Sequence, residues 1–212
     1  MDEDIEDFFE NIKNALNVDL PEKDCILAIK DYLAGKVYNT GLIEDYTPFS
    51  KVIFLILQEF STLKDDYKRF AQNIYQAKLL AADILQKEIE LLCDLLIAYS
   101  YSKLDIAQKA ELIYKDVLKT AEESAIFQIL AIAKYLLAKL KFNQNHPEDA
   151  LILINDTLAS LQKYENQSKI LYVMFENLYI EIAKHHDMTS IDIETEEQKI
   201  IEHKAPLAKL FN

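Results

Sequence analysis

Apolar side chains recur along most of this chain at steps of three and four residues, the period that lays them on one face of an α-helix. Residues 2 to 17 place Ile5, Phe8, Phe9, Ile12 and Leu16 on one stripe of an otherwise acidic helix. A second helix begins after Pro21, with Cys25, Ile26, Ile29, Leu33 and Val37 on one side and Gly35 weakening its end. The stretch from Tyr38 through Gly41 to Tyr46 reads as a loop and acts as a hinge to the rest of the chain. Thr47 and Pro48 then read as an N-cap and a first helical position, opening a helix to about Leu63. Beyond it the pattern predicts helices at roughly 66–84, 86–103, 105–121, 123–143, 147–163 and 166–186. His146-Pro147-Glu148-Asp149 is the clearest start signal, a proline in the first turn with two acids at the positive end of the helix. Connections this short force consecutive helices to lie antiparallel.

The pattern divides the chain into three regions. Residues 1–46 form an acidic helical hairpin and loop, 47–186 a body of helical repeats, and 187–212 a tail with a short helix capped near Thr195. The chain end after Pro206, Leu207-Ala208-Lys209-Leu210-Phe211, either folds back to cover the open end of the array or serves as a short partner motif.

Composition narrows the fold class. Half of the 212 residues are hydrophobic, yet there are only two glycines and four prolines, too few turn residues for a β-sheet protein of this size. The expected class is all-α.

Charge then narrows the partners. The formal net charge is −13 and Arg69 is the single arginine, so no basic cluster exists to grip nucleic acid or an anionic membrane surface directly. Residues 1 to 31 alone are net −7, with ten acids against three lysines. Two readings stand for that segment: a solvated helix face, or a docking face for a basic partner. Cys25 and Cys93 each lie in an apolar helical stretch, outside any CxxC, and read as buried hydrophobes in a reducing compartment. The start Met1-Asp2-Glu3-Asp4 lacks a signal peptide's basic and apolar regions, and no apolar run approaches the roughly 18 residues of a membrane span. A cytoplasmic protein is expected, with the nucleus also open to it.

One pattern occurs twice, forty residues apart and without gaps. The first copy is Ile97-Ala98, Tyr101, Ala110, Tyr114 and Val117-Leu118; the second is Leu137-Ala138, Lys141, Ala150, Ile154 and Thr157-Leu158. Small residues near the end of one helix and the start of the next let two backbones approach closely. These residues resemble the tetratricopeptide repeat, in which a Leu-Gly or Leu-Ala pair in helix A precedes an aromatic, and helix B opens with alanine twelve residues after the small residue. Phe70-Ala71 with Tyr75 and Leu79 looks like a further helix B, so the resemblance covers about residues 50 to 186. The chain departs from the family at Lys141 (for the aromatic), at Asn145 and Asp105 (for the turn glycine) and at Gln162 and Glu122 (for the closing proline). Its spacing of 39 or 40 also exceeds the family period of about 34. Another α-solenoid or a helical bundle is the competing reading, since any antiparallel helical array needs small residues where helices cross.

The resemblance implies antiparallel helix pairs in a right-handed TPR-like α-solenoid that holds another protein in a concave groove. The groove would be lined by Leu92, Leu95, Tyr99, Ser102 and Lys103 in one repeat and by Ile132, Tyr135, Lys139, Phe142 and Asn143 in the next. That lining suits an extended segment or helix with apolar anchors and some negative charge; the competing reading makes these residues intramolecular core. The lysine, arginine and asparagine clamp that chaperone-binding members use on a terminal carboxylate is not expected, because Arg69 lies outside the matched A helices. The expected function is thus a non-enzymatic adaptor or scaffold subunit. The alternative is a structural subunit of a permanent complex or homodimer that uses the acidic N-terminal helices as its interface.

Other chemistry finds little support. Glu181, His185, His186 and Asp187 are the best metal candidates, but only distant His203 could complete the set, so neither a metal nor a cofactor is expected. Two glycines build neither a phosphate loop nor a nucleophile elbow, and no catalytic residue is assigned.

Overall fold

A computed structural model describes residues 47–62, 66–161 and 169–185, and these are helical throughout apart from short links. In chain order the helices are α1 (Pro48–Thr62), α2 (Tyr67–Asp83), α3 (Lys87–Lys103), α4 (Ala107–Glu123), α5 (Phe127–Asn143), α6 (Pro147–Leu161) and α7 (Lys169–His185). The N-terminal hairpin and the tail expected from sequence lie outside the described residues. The chain divides into two compact units, Met1–Ile129 and Leu130–Asn212. Among the described residues no helix is long and apolar enough to cross a membrane.

The helices keep a strict cadence. Tyr67, Lys87, Ala107, Phe127 and Pro147 open successive helices twenty residues apart, and α2 to α5 are each 17 residues long with three-residue links. Each link is closed in the same way. The residue two places past the helix takes a left-handed backbone, with φ of 59° at Leu85, 58° at Asp105, 55° at Ala125 and 63° at Asn145. The next N–H then reaches back five residues, as Gln86 to the Ala81 carbonyl at 3.0 Å and Ile106 to Tyr101, Ile126 to Ala121 and His146 to Lys141, each at 2.9 Å. This is the Schellman arrangement, which satisfies carbonyls that the helix end leaves open. Glycine usually takes the left-handed place; leucine and alanine hold it here at a cost of about 1 kcal/mol each. At the starts, Asp66 accepts the Arg69 N–H at 3.1 Å and Thr47 Oγ1 accepts the Ser50 N–H at 3.4 Å.

Links of three residues set α2, α3 and α4 of the first unit side by side and antiparallel, with α3 packed against both neighbours and α1 against α2. Burial follows from that position. The flanking helices bury one stripe each: Phe70, Ala71, Ile74, Ala77 and Ala81 in α2, and Ala110, Tyr114, Val117 and Ala121 in α4. The central helix buries Ile89, Leu91, Cys93, Leu95, Ile97, Ala98 and Ser100, which point to several sides. Ser100 is tolerated there because its hydroxyl donates to the Leu96 carbonyl at 2.9 Å. Lys78 of α2 pairs with Asp94 of α3 at 2.7 Å, both partly buried. Burial raises the Asp94 carboxyl above its ordinary value, and the Lys78 ammonium offsets part of that rise.

The second unit repeats the pattern. Residues buried in α5 include Ala131, Ala133, Leu137, Ala138 and Leu140, and those in α6 include Ala150, Ile154 and Thr157. Each stands forty residues after a buried residue of α3 or α4. Lys134 of α5 is paired with Asp156 of α6, and α6 packs against α7.

Candidate functional site

The residues expected to line a groove fall on α3 in the first unit and on α5 in the second, and the two helices treat them differently. On α3, Leu92, Tyr99 and Ser102 are half-buried and Lys103 is exposed. Leu95 is fully buried, so its place in a partner-facing groove is corrected to one in the core: the flanking α2 and α4 leave that position no solvent. Tyr99 is held from two sides. The Tyr67 ring of α2 meets it edge-on, with centroids 6.1 Å apart, and the Lys103 ammonium lies 5.4 Å from its centroid. The Ser102 hydroxyl donates to the Tyr99 carbonyl at 2.6 Å. Burial pushes up the phenol of Tyr114 of α4, and the Ser102 hydroxyl offsets part of that rise.

On α5 the aromatic positions are committed inward. Tyr135 and Phe142 are half-buried, and both pack on α7: Tyr135 against Phe175 at 5.6 Å and Phe142 against His185 at 5.5 Å, each nearly perpendicular. Two contacts rising along both helices in the same direction set α5 and α7 parallel, one helix apart in the chain. Burial raises the Tyr135 phenol, and the Glu181 carboxylate adds to the rise. Ile132 is half-buried, while Lys139 and Asn143 are exposed. On the second unit the solvent-facing candidates are therefore an ammonium and an amide, groups suited to hydrogen-bonding a partner backbone or carboxylate.

Two participants were not visible from sequence spacing. Tyr67 reaches Tyr99 only because α2 and α3 are antiparallel, and Lys109 of α4 lies on the Tyr101 ring, 4.1 Å from its centroid, while donating to its hydroxyl at 2.8 Å. A regular helical stripe would have pointed to neither, since both contacts cross between helices.

Among the described residues the one thiol is withdrawn from solvent. Cys93 is fully buried, and burial, with Asp94 beside it, pushes its thiol up to about 12, so it stays protonated at neutral pH. Among the described residues no group of three histidine, cysteine or acidic side chains is placed to hold a metal ion. His186, Asp187 and His203 lie outside the described residues. No family model, curated protein or solved structure matches the chain.

Proposed function

We propose that this chain is a non-enzymatic adaptor or scaffold subunit, whose helix pairs form a right-handed tetratricopeptide-like solenoid and hold a segment of another protein along one helix of each pair. The observation that carries the proposal is the forty-residue recurrence of burial. Ala98 and Ala110 in one pair, and Ala138 and Ala150 in the next, are all fully buried. At equivalent offsets outside the core the side chains differ: Tyr99 corresponds to Lys139, and Lys103 to Asn143. A frame that repeats its packing while varying its surface is how a repeat array presents a specific binding face. Charge reversal at Lys103→Glu together with Lys139→Glu should reduce partner capture from the source cell while the melting temperature stays nearly unchanged. Capture at the wild-type level would remove these residues from the binding face.

A second reading, a subunit of a permanent complex or homodimer, is favoured by apolar side chains on the outer side of α2. Tyr75, Leu79 and Leu80 are 49%, 44% and 38% exposed there. Light scattering on the purified chain tests the homodimer form of this reading, which a monomer excludes.

A further inference from the structure

Charge on α2, α3 and α4 of the first unit is sorted by the end of the bundle rather than by helix direction. The central helix obeys the usual preference, with Glu88 and Glu90 outweighing Lys87 in its first turn and Lys103 in its last. Both neighbours reverse it. The first turn of α2 holds Lys68 and Arg69 and its last residue is Asp83; α4 has Lys109 in its first turn and Glu122 and Glu123 in its last. Cations at the positive end of a helix dipole and acids at the negative end both work against folding. What the reversal achieves is that cations from all three antiparallel helices meet at one end.

The meeting is built with tyrosine. Tyr67 at the start of α2 packs on Tyr99 near the end of α3, Lys103 rests on Tyr99, and across the link Lys109 is bonded to Tyr101. Lys68, Arg69, Lys103 and Lys109 are all exposed, and so are Leu104 and Ile106 in the link between α3 and α4. Against them stand Asp66, which caps α2, and Asp105, while Glu59 in the last turn of α1 is half-buried. Residues 66–69 and 99–109 together are net +2 in a chain of net −13. The opposite end, residues 80–90 and 119–126, is net −3.

We propose that this tyrosine and lysine end docks an acidic protein segment carrying leucine or phenylalanine between its carboxylates. The proposal rests on the reading of the chain as a protein-binding module and names the chemistry of its partner. An ammonium held on a ring face or a phenol oxygen keeps N–H donors for an incoming carboxylate, and the ring fixes where it stands. Leu104 and Ile106 supply apolar ground beside those charges. On a molecule of net −13, a cationic patch attracts an acidic segment that the acidic surface repels, which is how complementary charge selects a partner and its orientation.

The test uses the full chain and a labelled peptide alternating glutamate with leucine and phenylalanine, with a second peptide carrying lysine for each glutamate. Fluorescence anisotropy should show the acidic peptide binding about tenfold tighter or more, and weakening as salt is added. Lys68→Glu with Arg69→Glu, and separately Lys103→Glu with Lys109→Glu, should each weaken it about tenfold, while Lys119→Glu at the opposite end leaves it within about twofold. Circular dichroism first establishes that each variant keeps the wild-type helicity and a cooperative thermal transition, with Lys68→Glu and Arg69→Glu expected to melt no lower than wild type because acids suit that helix end. Equal binding of the two peptides, no binding of the acidic one, or acidic-peptide binding that survives both double variants overturns the proposal. The Lys68 and Arg69 variant also separates the two readings. Undiminished capture of a cellular partner by it removes this site and leaves the adaptor function, whereas peptide binding here with no cellular partner captured removes the adaptor function and leaves the site.

Discussion

Helices α3 and α4 have the same length and the same kind of link at each end, yet one is a core element and the other a surface element. In α3 the buried positions include Ile89, Leu91, Cys93, Leu95 and Ile97, alternate residues that point to different sides; in α4 they are Ala110, Tyr114, Val117 and Ala121, a single stripe. The outer side of α4 even leaves Leu112 61% exposed. Length and capping thus set where a helix starts and stops, whereas the angular spread of its apolar residues sets how many neighbours it receives. A helix apolar on several sides must be covered on several sides, and α3 lies between α2 and α4.

The largest effect should come from removing bulk on the covered helix. Leu95→Ala, at a fully buried site, should cost about 2–5 kcal/mol in urea unfolding, whereas Leu112→Ala on α4 should stay within about 0.5 kcal/mol. Equal costs would break the distinction between core and surface helix. A smaller effect comes from the ionisable groups that burial keeps neutral on both helices. The Cys93 thiol is raised from 9.0 to about 12 and the Tyr114 phenol is raised from 10.0, so each retains its proton in the fold after losing it in the unfolded chain. Stability is then fully present below pH 9 and declines as pH rises toward 12. Over that window wild type should lose up to about 1.4 kcal/mol per pH unit relative to Cys93→Ala, read from urea midpoints at successive pH values. A constant difference between the two proteins would show that the thiol is hydrated. The smallest effect lies in the links. Leu85→Gly relieves a left-handed leucine that is 89% exposed, and should raise stability by about 0.5–1 kcal/mol, with Asn145→Gly gaining less because asparagine tolerates that backbone. A loss on Leu85→Gly would mean that the exposed leucine contributes packing.

Helix existence was legible because the apolar period and the start signals agree. The expected helix from 147 and the one from Pro48 begin where the proline pattern puts them. Boundaries slipped at two links: helices expected from 105 and 123 begin at Ala107 and Phe127, because Asp105 and Ala125 take the left-handed place that usually falls to glycine. Asn145 and Asp105 were readable as stand-ins for that glycine, but Leu85 and Ala125 were not, having neither glycine's missing side chain nor the polar group that favours the conformation. Of the expected groove residues, sequence could not distinguish Leu95 from Tyr99, since both share one stripe. Tyr99 escapes full burial near the end of α3, while Leu95 lies midway along it. The end-sorted charge was equally hidden, because Lys68, Lys103 and Lys109 come to one end only once α2, α3 and α4 alternate in direction.

The uniform three-residue link has a consequence for how such a chain lengthens or shortens. The most extensively packed pairs among the described residues, α1 with α2, α2 with α3, α3 with α4 and α6 with α7, are neighbours in sequence, and α5 meets α7 one helix further on. Interactions this local assemble without closing long loops, so folding can spread from one pair to the next. Since α2 through α5 each end on the same left-handed turn, an insertion or deletion of forty residues cut at equivalent links restores the original alternation of covered and outer helices. Gene duplication could therefore change the number of helices in whole-pair increments, each new link closed by the same turn.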